Sequence, residues 1–218
     1  MENYSNYCCD EVVSDYAEQH SEKESELLHA LDRETNLRTM YPRMISGHLQ
    51  GELFKMLTYM IKPERVLEIG TFTGYSTICF ASALPAESKI YTVEVNPEWS
   101  YISDKYFKNS GLSNKIISVI GDASEVIPKL CVNFDIVLID ANKKDNLKYY
   151  ELVLPFLKSG GFILVDNVFW GGKVFDEKTN YDKDTSLIDE FNHYVTEDGR
   201  VENLLLPIRD GLMMVRKK

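Results

Sequence analysis

The chain has 218 residues, of which 44% are hydrophobic and 27% are charged, and this balance is typical of a globular protein. The length predicts one domain spanning residues 1–218 rather than two. A formal net charge of −10 argues against a broad basic surface for duplex nucleic acid. The apolar runs are too short to cross a bilayer, and the first residues lack the features of a signal peptide. These observations predict a cytoplasmic protein with no membrane partner.

The cysteines show no spacing that is typical of a metal site. They are Cys8, Cys9, Cys79 and Cys131. The first two are adjacent, which suits neither a C-x-x-C redox pair nor a zinc knuckle. We therefore expect free thiols in a reducing compartment.

The first part of the chain, residues 1–57, is predicted to be a helical extension. Ser21 and Glu24 have the form of a capping box ahead of leucines at helical spacing. A second helix is predicted over residues 46–61, and Pro63 lies just beyond its end.

From residue 65 onwards, short apolar runs alternate with helical stretches. The predicted strands are residues 65–69, 90–95, 116–120, 136–139 and 162–165, and the predicted helices begin near Gly74, Pro97, Ser124 and Asp145. Apolar strands separated by helices indicate a parallel sheet that is covered on both faces. Residues 201–206 and 212–215 flank a turn too short for a helix, which predicts an antiparallel pair. The fold class predicted for residues 65–218 is therefore a doubly wound, Rossmann-like α/β core with a mostly parallel, seven-stranded sheet and an antiparallel C-terminal strand.

The first predicted strand runs into a turn with the spacing G-x-x-x-G, formed by Gly70 and Gly74. A dinucleotide loop requires G-x-G-x-x-G so that the backbone can approach a pyrophosphate, and Phe72 stands at the middle position here. This argues against an NAD-linked Rossmann oxidoreductase, the more distant alternative. Glu68 is expected to face the ligand edge, and Glu94 ends the second strand, where an acid accepts ribose hydroxyls. Taken alone, the two glycines are also compatible with an ordinary turn, and Glu94 with a surface acid.

Two acids follow two further strands, Asp140 after residues 136–139 and Asp166 after residues 162–165. If these strands are parallel neighbours, both carboxylates emerge at one rim of the sheet, and Asn167 adds an amide oxygen. Such an all-oxygen set favours Mg²⁺, with Mn²⁺ or Ca²⁺ as alternatives. A helix N-cap is the competing interpretation of either aspartate alone. Lys143 is a candidate acceptor for a hydroxyl proton, or else a solvated loop lysine beside Lys144.

In combination these motifs resemble the cation-dependent S-adenosylmethionine O-methyltransferases, the family of caffeoyl-CoA and catechol O-methyltransferases. The resemblance begins near Arg43 and extends to the C-terminus. The segments that carry it are Met44-Ile45-Ser46 with Gly51, Glu68-Ile69-Gly70 through Gly74-Tyr75-Ser76, Gly121-Asp122-Ala123, Asp140-Ala141-Asn142-Lys143, Asp166-Asn167-Val168-Phe169-Trp170-Gly171-Gly172 and Leu206-Pro207-Ile208-Arg209-Asp210-Gly211-Leu212.

The resemblance implies a role for each matching residue. The cofactor S-adenosylmethionine would be held by Met44, Ser46, Glu68, Gly70, Ser76, Glu94, Ala123 and Asp140. The metal would be held by Asp140, Asp166 and Asn167, with Lys143 as the catalytic lysine beside Asp140. Trp170 would wall the substrate side together with Lys143, although a core tryptophan is the alternative. A homodimer is also implied.

The expected reaction is methyl transfer to a hydroxyl of a small catechol-like or caffeoyl-type molecule, a vicinal diphenol. The nearest alternative is the same fold acting as a tRNA hydroxyuridine O-methyltransferase, which the acidic balance disfavours. A non-catalytic S-adenosylmethionine-binding module is a third possibility, and the presence of both the acid pair and Lys143 argues against it. Asn142 and Gly171 depart from residues that are common in the family, at positions close to the expected metal and acceptor.

Overall fold

The computed structural model describes residues 11–218. The helices are α1 (Glu11–Gln19), α2 (Glu26–Arg38), α3 (His48–Ile61), α4 (Tyr75–Ala83), α5 (Ser100–Asn109), α6 (Ala123–Leu130), α7 (Asn146–Val153) and α8 (Lys183–Glu197). The strands are β1 (Arg65–Ile69), β2 (Lys89–Glu94), β3 (Ile116–Ile120), β4 (Phe134–Ile139), β5 (Leu157–Asp166), β6 (Val201–Leu206) and β7 (Leu212–Lys217). Cys79 and Cys131 are free thiols, whereas Cys8 and Cys9 lie outside the described residues. No helix among residues 11–218 is long and apolar enough to span a membrane.

The strands form one seven-stranded sheet in the order β3-β2-β1-β4-β5-β7-β6. The first five strands run parallel, and β7 runs antiparallel to both of its neighbours, β5 and β6. The predicted doubly wound α/β class with an antiparallel C-terminal strand is therefore confirmed. The chain order of the strands changes direction at β1, with β2 and β3 on one side of it and β4 and β5 on the other. In a doubly wound sheet, a ligand crevice lies at such a point, beyond the carboxyl ends of the strands.

Helices cover both faces of the sheet because successive strand residues point to opposite sides. On β1, Val66 packs in a cluster with Phe54 of α3 and Phe80 of α4. The next residue, Leu67, packs in a cluster on the other face with Ile127 of α6 and Phe191 of α8. All of these side chains are buried. This explains why the central strands are continuously apolar rather than alternating with polar residues.

The structure differs from the prediction at the start of α2. Its N-cap is Ser25, which accepts a hydrogen bond from the Leu28 N–H. The predicted cap, Ser21, instead donates its hydroxyl to the carbonyl of Ala17 at 2.7 Å. The predicted capping box is thus wrong: two serines with suitable spacing lie close together, and the end of α1 engages the first of them.

Helix α8 was not predicted, although its sequence carries the usual signals. Its N-cap Asp182 accepts from the Thr185 N–H at 2.7 Å. The buried residues Ile188, Phe191 and Val195 recur at helical spacing along the face that meets the sheet.

Candidate active site

A cavity of about 330 Å³ lies at the carboxyl ends of the central strands. Its wall combines the β1–α4 turn, the residues that follow β4 and β5, and a segment ahead of α3. The predicted site residues that line it are Met44, Ser46, Gly70, Ser76, Glu94, Asp140, Lys143, Asp166 and Asn167. Positions that are distant in the sequence therefore meet in one place.

A second, smaller cavity of about 40 Å³ adjoins the first. The two share Gly70, Glu94, Val95 and Ala141 in their walls. The predicted residue Ala123 lines only the smaller cavity, together with Tyr149. The two neighbouring cavities lie between the start of α6 and the ends of β4 and β5.

The β1–α4 turn passes too close to β4 for any side chain at its first glycine. Gly70 has a φ of 101°, and a Cβ at this position would lie 2.1 Å from the carbonyl oxygen of Asp140. The Gly70 N–H donates to the carbonyl of Val93 at 2.9 Å, so the turn is also tied to β2. The glycine therefore allows β1, β2 and the end of β4 to converge on the cavity.

Glu94 fixes the rest of this turn. Its Oε2 accepts from the backbone N–H groups of Thr71 and Phe72 at 3.1 and 2.9 Å. Its Oε1 accepts from the Asn96 N–H at 2.9 Å. A carboxylate has about four acceptor positions, so Glu94 retains capacity for a ligand hydroxyl in the cavity that it lines.

Helix α2 braces the same turn from outside. The buried hydroxyl of Thr35 donates to the hydroxyl of Thr73 at 3.0 Å. Tyr75, which lines the cavity, donates its hydroxyl to Glu24 at 2.5 Å. Helix α2 and the loop before it thus contribute directly to the position of the turn and of the first residue of α4, which the sequence pattern did not reveal.

Glu68 does not line the cavity, although it was expected to face the ligand. Its side chain is fully buried and accepts hydrogen bonds from the hydroxyls of Ser76, Thr77 and Thr92. Burial raises the pKa of Glu68 to about 7, against the opposing effect of these three hydroxyls. The expectation of direct contact is therefore corrected: Glu68 lies behind the wall and touches the cavity-lining Ser76.

The two strand-end aspartates meet as predicted. Parallel pairing places Ile139 opposite Val165, so Asp140 and Asp166 leave adjacent strands side by side. Lys143 donates to Asp140 Oδ1 at 2.6 Å, and both side chains of this ion pair are largely buried. Asp166 is only 3% exposed, and its Oδ1 accepts from the Asn167 N–H at 2.8 Å.

The electrostatics of this corner suit a divalent cation. Within residues 11–218, Asp166 has no cationic partner, and an unpaired buried carboxylate is costly. Burial raises the pKa of Asp140, the nearby Asp166 adds to the rise, and Lys143 opposes it. Burial also raises the pKa of Asp210, again with a contribution from Asp166. Carboxylate and amide oxygens form a hard donor set, so the residues fit Mg²⁺ or a similar ion.

No three acidic, histidine or cysteine side chains among the described residues are grouped closely enough to hold a metal by themselves. The predicted metal-ligand set consists of two carboxylates and one amide, so it needs the amide oxygen of Asn167 as its third ligand. This residue has a φ of 59°, a left-handed conformation that asparagine tolerates better than most residues.

Two neighbours in the β6–β7 turn were not predicted as individual site residues. The Arg209 guanidinium donates to Gln50 Oε1 at 2.8 Å and to the carbonyl of Ile45 at 3.1 Å, and it lines the cavity. Asp210 accepts from the Gly171 N–H at 2.7 Å on the other side. The turn therefore ties the segment ahead of α3 and the start of that helix to the loop that follows β5. The sequence signals for it were the predicted turn and the family-like segment from Leu206 to Leu212, neither of which assigned a role to Arg209 or Asp210.

Trp170, expected on the substrate side, is not among the cavity-lining residues. Its Nε1 is buried without a hydrogen-bond partner in the described part of the chain. Asn142, the departure from family-typical residues, caps the short 3₁₀ turn Lys143–Asp145 by accepting from the Lys144 N–H. It therefore helps to position the predicted catalytic lysine.

Comparison with known proteins agrees with this arrangement. A model of the O-methyltransferase family matches residues 18–218. Probable caffeoyl-CoA O-methyltransferase 2 of Dictyostelium discoideum is 30% identical over 210 residues, which cover 94% of this chain and 91% of the relative. Catechol O-methyltransferase domain-containing protein 1 of Mus musculus is 32% identical over 173 residues, which cover 77% of this chain and 66% of the relative. The SAH-bound methyltransferase PaMTH1 of Podospora anserina superposes with a TM-score of 0.87 at 29% identity, covering 95% of this chain and 94% of that structure. The chain therefore belongs to the O-methyltransferase family.

Proposed function

We propose that this O-methyltransferase uses S-adenosylmethionine and a divalent cation to methylate one hydroxyl of a vicinal diphenol. One observation carries the proposal: the largely buried Asp140 and the buried Asp166, with Asn167, line the same cavity as the glycine turn and Glu94. Relatives named for caffeoyl-CoA and catechol point to acceptors with two adjacent hydroxyls. The SAH-bound and SAM-bound structural neighbours support the choice of cofactor.

The cofactor would lie along the two adjoining cavities. Glu94 would accept hydrogen bonds from its ribose hydroxyls, and Ala123 would lie at the adenine end, in the smaller cavity. Met44, Ser46, Gly70 and Ser76 would enclose the methionyl part. Glu68 would act indirectly, by holding the Ser76 hydroxyl at 2.5 Å.

Asp140, Asp166 and Asn167 would hold a divalent cation, which would supply the Lewis acidity that favours the ionised form of the diphenol. The protein's own contribution is to place the acceptor and to handle its proton. Lys143, beside Asp140, would accept the hydroxyl proton in its neutral form, after losing the proton that it donates to Asp140, because an ammonium has no lone pair. A free phenol has a pKa near 10, so this help is needed at neutral pH.

In the transfer step a bond forms between the acceptor oxygen and the methyl carbon, while the carbon–sulfur bond breaks. The oxygen loses its negative charge, and the sulfonium leaves as a neutral thioether. Because charge is lost in this step, the enzyme gains most by holding the three atoms in line and by excluding water. Arg209, which lines the cavity and is held by Gln50, would help to keep this part of the wall in place.

The substitution Asp166→Ala tests the proposal. Methyl transfer to catechol should fall at least a hundredfold, because the acceptor loses its metal anchor. The affinity for S-adenosylhomocysteine, measured by calorimetry, should stay within about threefold, since Asp166 is not needed for the cofactor. Asp104→Ala, at an exposed position of α5, is the matched control and should leave both quantities unchanged. Parallel loss of transfer and of cofactor affinity in Asp166→Ala would contradict the assignment.

A further inference from the structure

Arg43 differs from the other cations of the cavity wall. The charged residues that line the cavity in the described part of the chain are Arg43, Lys143, Arg209, Glu94, Asp140 and Asp166. Lys143 is paired with Asp140 at 2.6 Å, and the Arg209 guanidinium is bonded to Gln50 at 2.8 Å. Arg43 is exposed and makes no hydrogen bond or ion pair with any residue between 11 and 218. Its charge is thus available to a ligand.

The backbone around Arg43 is fixed even though the side chain has no partner among the described residues. Arg43 lies in the 3₁₀ turn Pro42–Met44, which the Ile45 N–H closes by donating to the carbonyl of Pro42 at 3.2 Å. The Ile45 carbonyl in turn accepts from Arg209 at 3.1 Å. The guanidinium therefore extends from an anchored segment of the wall.

Apolar side chains flank Arg43 on both sides in the sequence. Met40, Tyr41 and Met44 are 80%, 66% and 58% exposed, and Met44 lines the cavity. Thioether and aromatic side chains pack well against a planar ring. A cation among such groups fits an aromatic acceptor that also carries an anionic group.

The charge balance of the site with cation and cofactor bound also favours an anionic acceptor. A divalent cation at Asp140 and Asp166 would offset both carboxylates, and the sulfonium of the cofactor adds a further positive charge. The cationic side chains of the wall then outnumber the remaining acid, Glu94, and Arg43 is the one among them with no hydrogen-bond partner in the described part of the chain. An acceptor with a carboxylate supplies this partner.

The methionyl carboxylate of the cofactor is the other possible source of this anion. Helix α4 begins at the cavity with Tyr75 and Ser76, and its N-cap Gly74 leaves the first N–H groups without a side-chain cap. A helix N-terminus of this kind already suits the cofactor's carboxylate. Arg43 is therefore not required for it.

We propose that Arg43 binds a carboxylate on the acceptor, so that the enzyme selects catechols that carry an acidic substituent. This inference rests on the proposed function, because it assumes that the cavity takes a vicinal diphenol. Guanidinium–carboxylate pairs are strong and directional, and this gives the selection both affinity and orientation.

The test compares 3,4-dihydroxybenzoate with its methyl ester, which differ in charge but share the diphenol. The wild-type protein should show a KM at least tenfold lower for the acid than for the ester. Arg43→Gln should raise the KM for the acid about tenfold or more, with kcat nearly unchanged, and should leave the ester unaffected. Arg43→Lys should recover part of the lost affinity for the acid. Arg33→Gln, at an exposed position of α2, is the matched control.

A second readout measures binding without turnover. The dissociation constant of the acid, titrated into protein saturated with Mg²⁺ and S-adenosylhomocysteine, should rise about tenfold in Arg43→Gln. Equal effects on acid and ester would overturn the inference. A loss of affinity for S-adenosylhomocysteine itself would also overturn it and would assign Arg43 to the cofactor. Failure of the wild type to methylate either compound would count instead against the proposed function.

Discussion

Glu68 contacts a cavity-lining residue, Ser76, without lining the cavity itself. The carboxyl is fully buried and is surrounded by hydroxyls of β2 and α4, Thr92 on one side and Ser76 and Thr77 on the other. The alternation of side chains along β1 turns Glu68 into this cluster, and the sequence pattern alone did not reveal the three hydroxyl donors. The sequence pattern locates an acid before a glycine turn, but the partners of this acid come from elements that only the tertiary fold brings together.

Glu68 should make the stability of the protein depend on pH. Its pKa rises from an ordinary 4.5 to about 7 in the folded state, chiefly because of burial. The folded protein therefore holds an extra proton between these values, and the resulting stabilisation is complete below pH 4.5 and disappears as the pH rises through 7. Glu68→Gln is uncharged at every pH and lacks this effect.

We expect the free energy of unfolding of the wild type to fall by about 2–3 kcal/mol relative to Glu68→Gln between pH 5 and pH 8. Chemical denaturation at several pH values measures this difference. Glu87→Gln, at an exposed position, should follow the wild-type profile. Parallel pH profiles for the wild type and Glu68→Gln would contradict the assignment.

At the scale of elements, the β1–α4 turn depends on its contact with the end of β4. Gly70→Ala would place a Cβ 2.1 Å from the Asp140 carbonyl and would force a residue with a side chain to adopt a φ of 101°. We expect a loss of more than about 2 kcal/mol of unfolding free energy and loss of cofactor binding, because backbone rather than a flexible side chain must move.

Gly199→Ala is the control, since no atom lies within 4 Å of the position that its Cβ would take and its φ is not positive. Thermal unfolding and S-adenosylhomocysteine titration of both variants provide the comparison. Near-normal cofactor affinity in Gly70→Ala would show that the turn tolerates a side chain after all.

The order of the elements was largely predictable, because buried parallel strands produce continuous apolar runs and the glycine turn follows the first of them. The ends of the strands that carry Asp140 and Asp166 were located for the same reason. The contacts of Arg209 with Gln50 and of Thr35 with Thr73 were not predictable, since each joins segments far apart in the sequence. The choice between Ser21 and Ser25 as the cap of α2 likewise depended on where α1 ends.

At the scale of the whole molecule, the net charge of −10 bears on the tRNA alternative. Nucleic-acid binding depends on neutralising phosphates, and an acidic protein repels them. We expect no methyl transfer to bulk tRNA above the level seen without enzyme, at low or physiological salt, under conditions in which catechol is methylated. Transfer to tRNA at a rate equal to or above that for catechol would reverse the choice of acceptor.

One assay on the intact protein tests methyl transfer and its dependence on a divalent metal together. Labelled methyl transfer from S-adenosylmethionine to catechol should be assayed in chelator-treated enzyme and then during titration with Mg²⁺. We expect almost no product in the chelator, recovery on addition of Mg²⁺, and no recovery in Asp166→Ala. Full activity in the chelator, unchanged by Mg²⁺, would contradict the proposed metal-dependent methyl transfer.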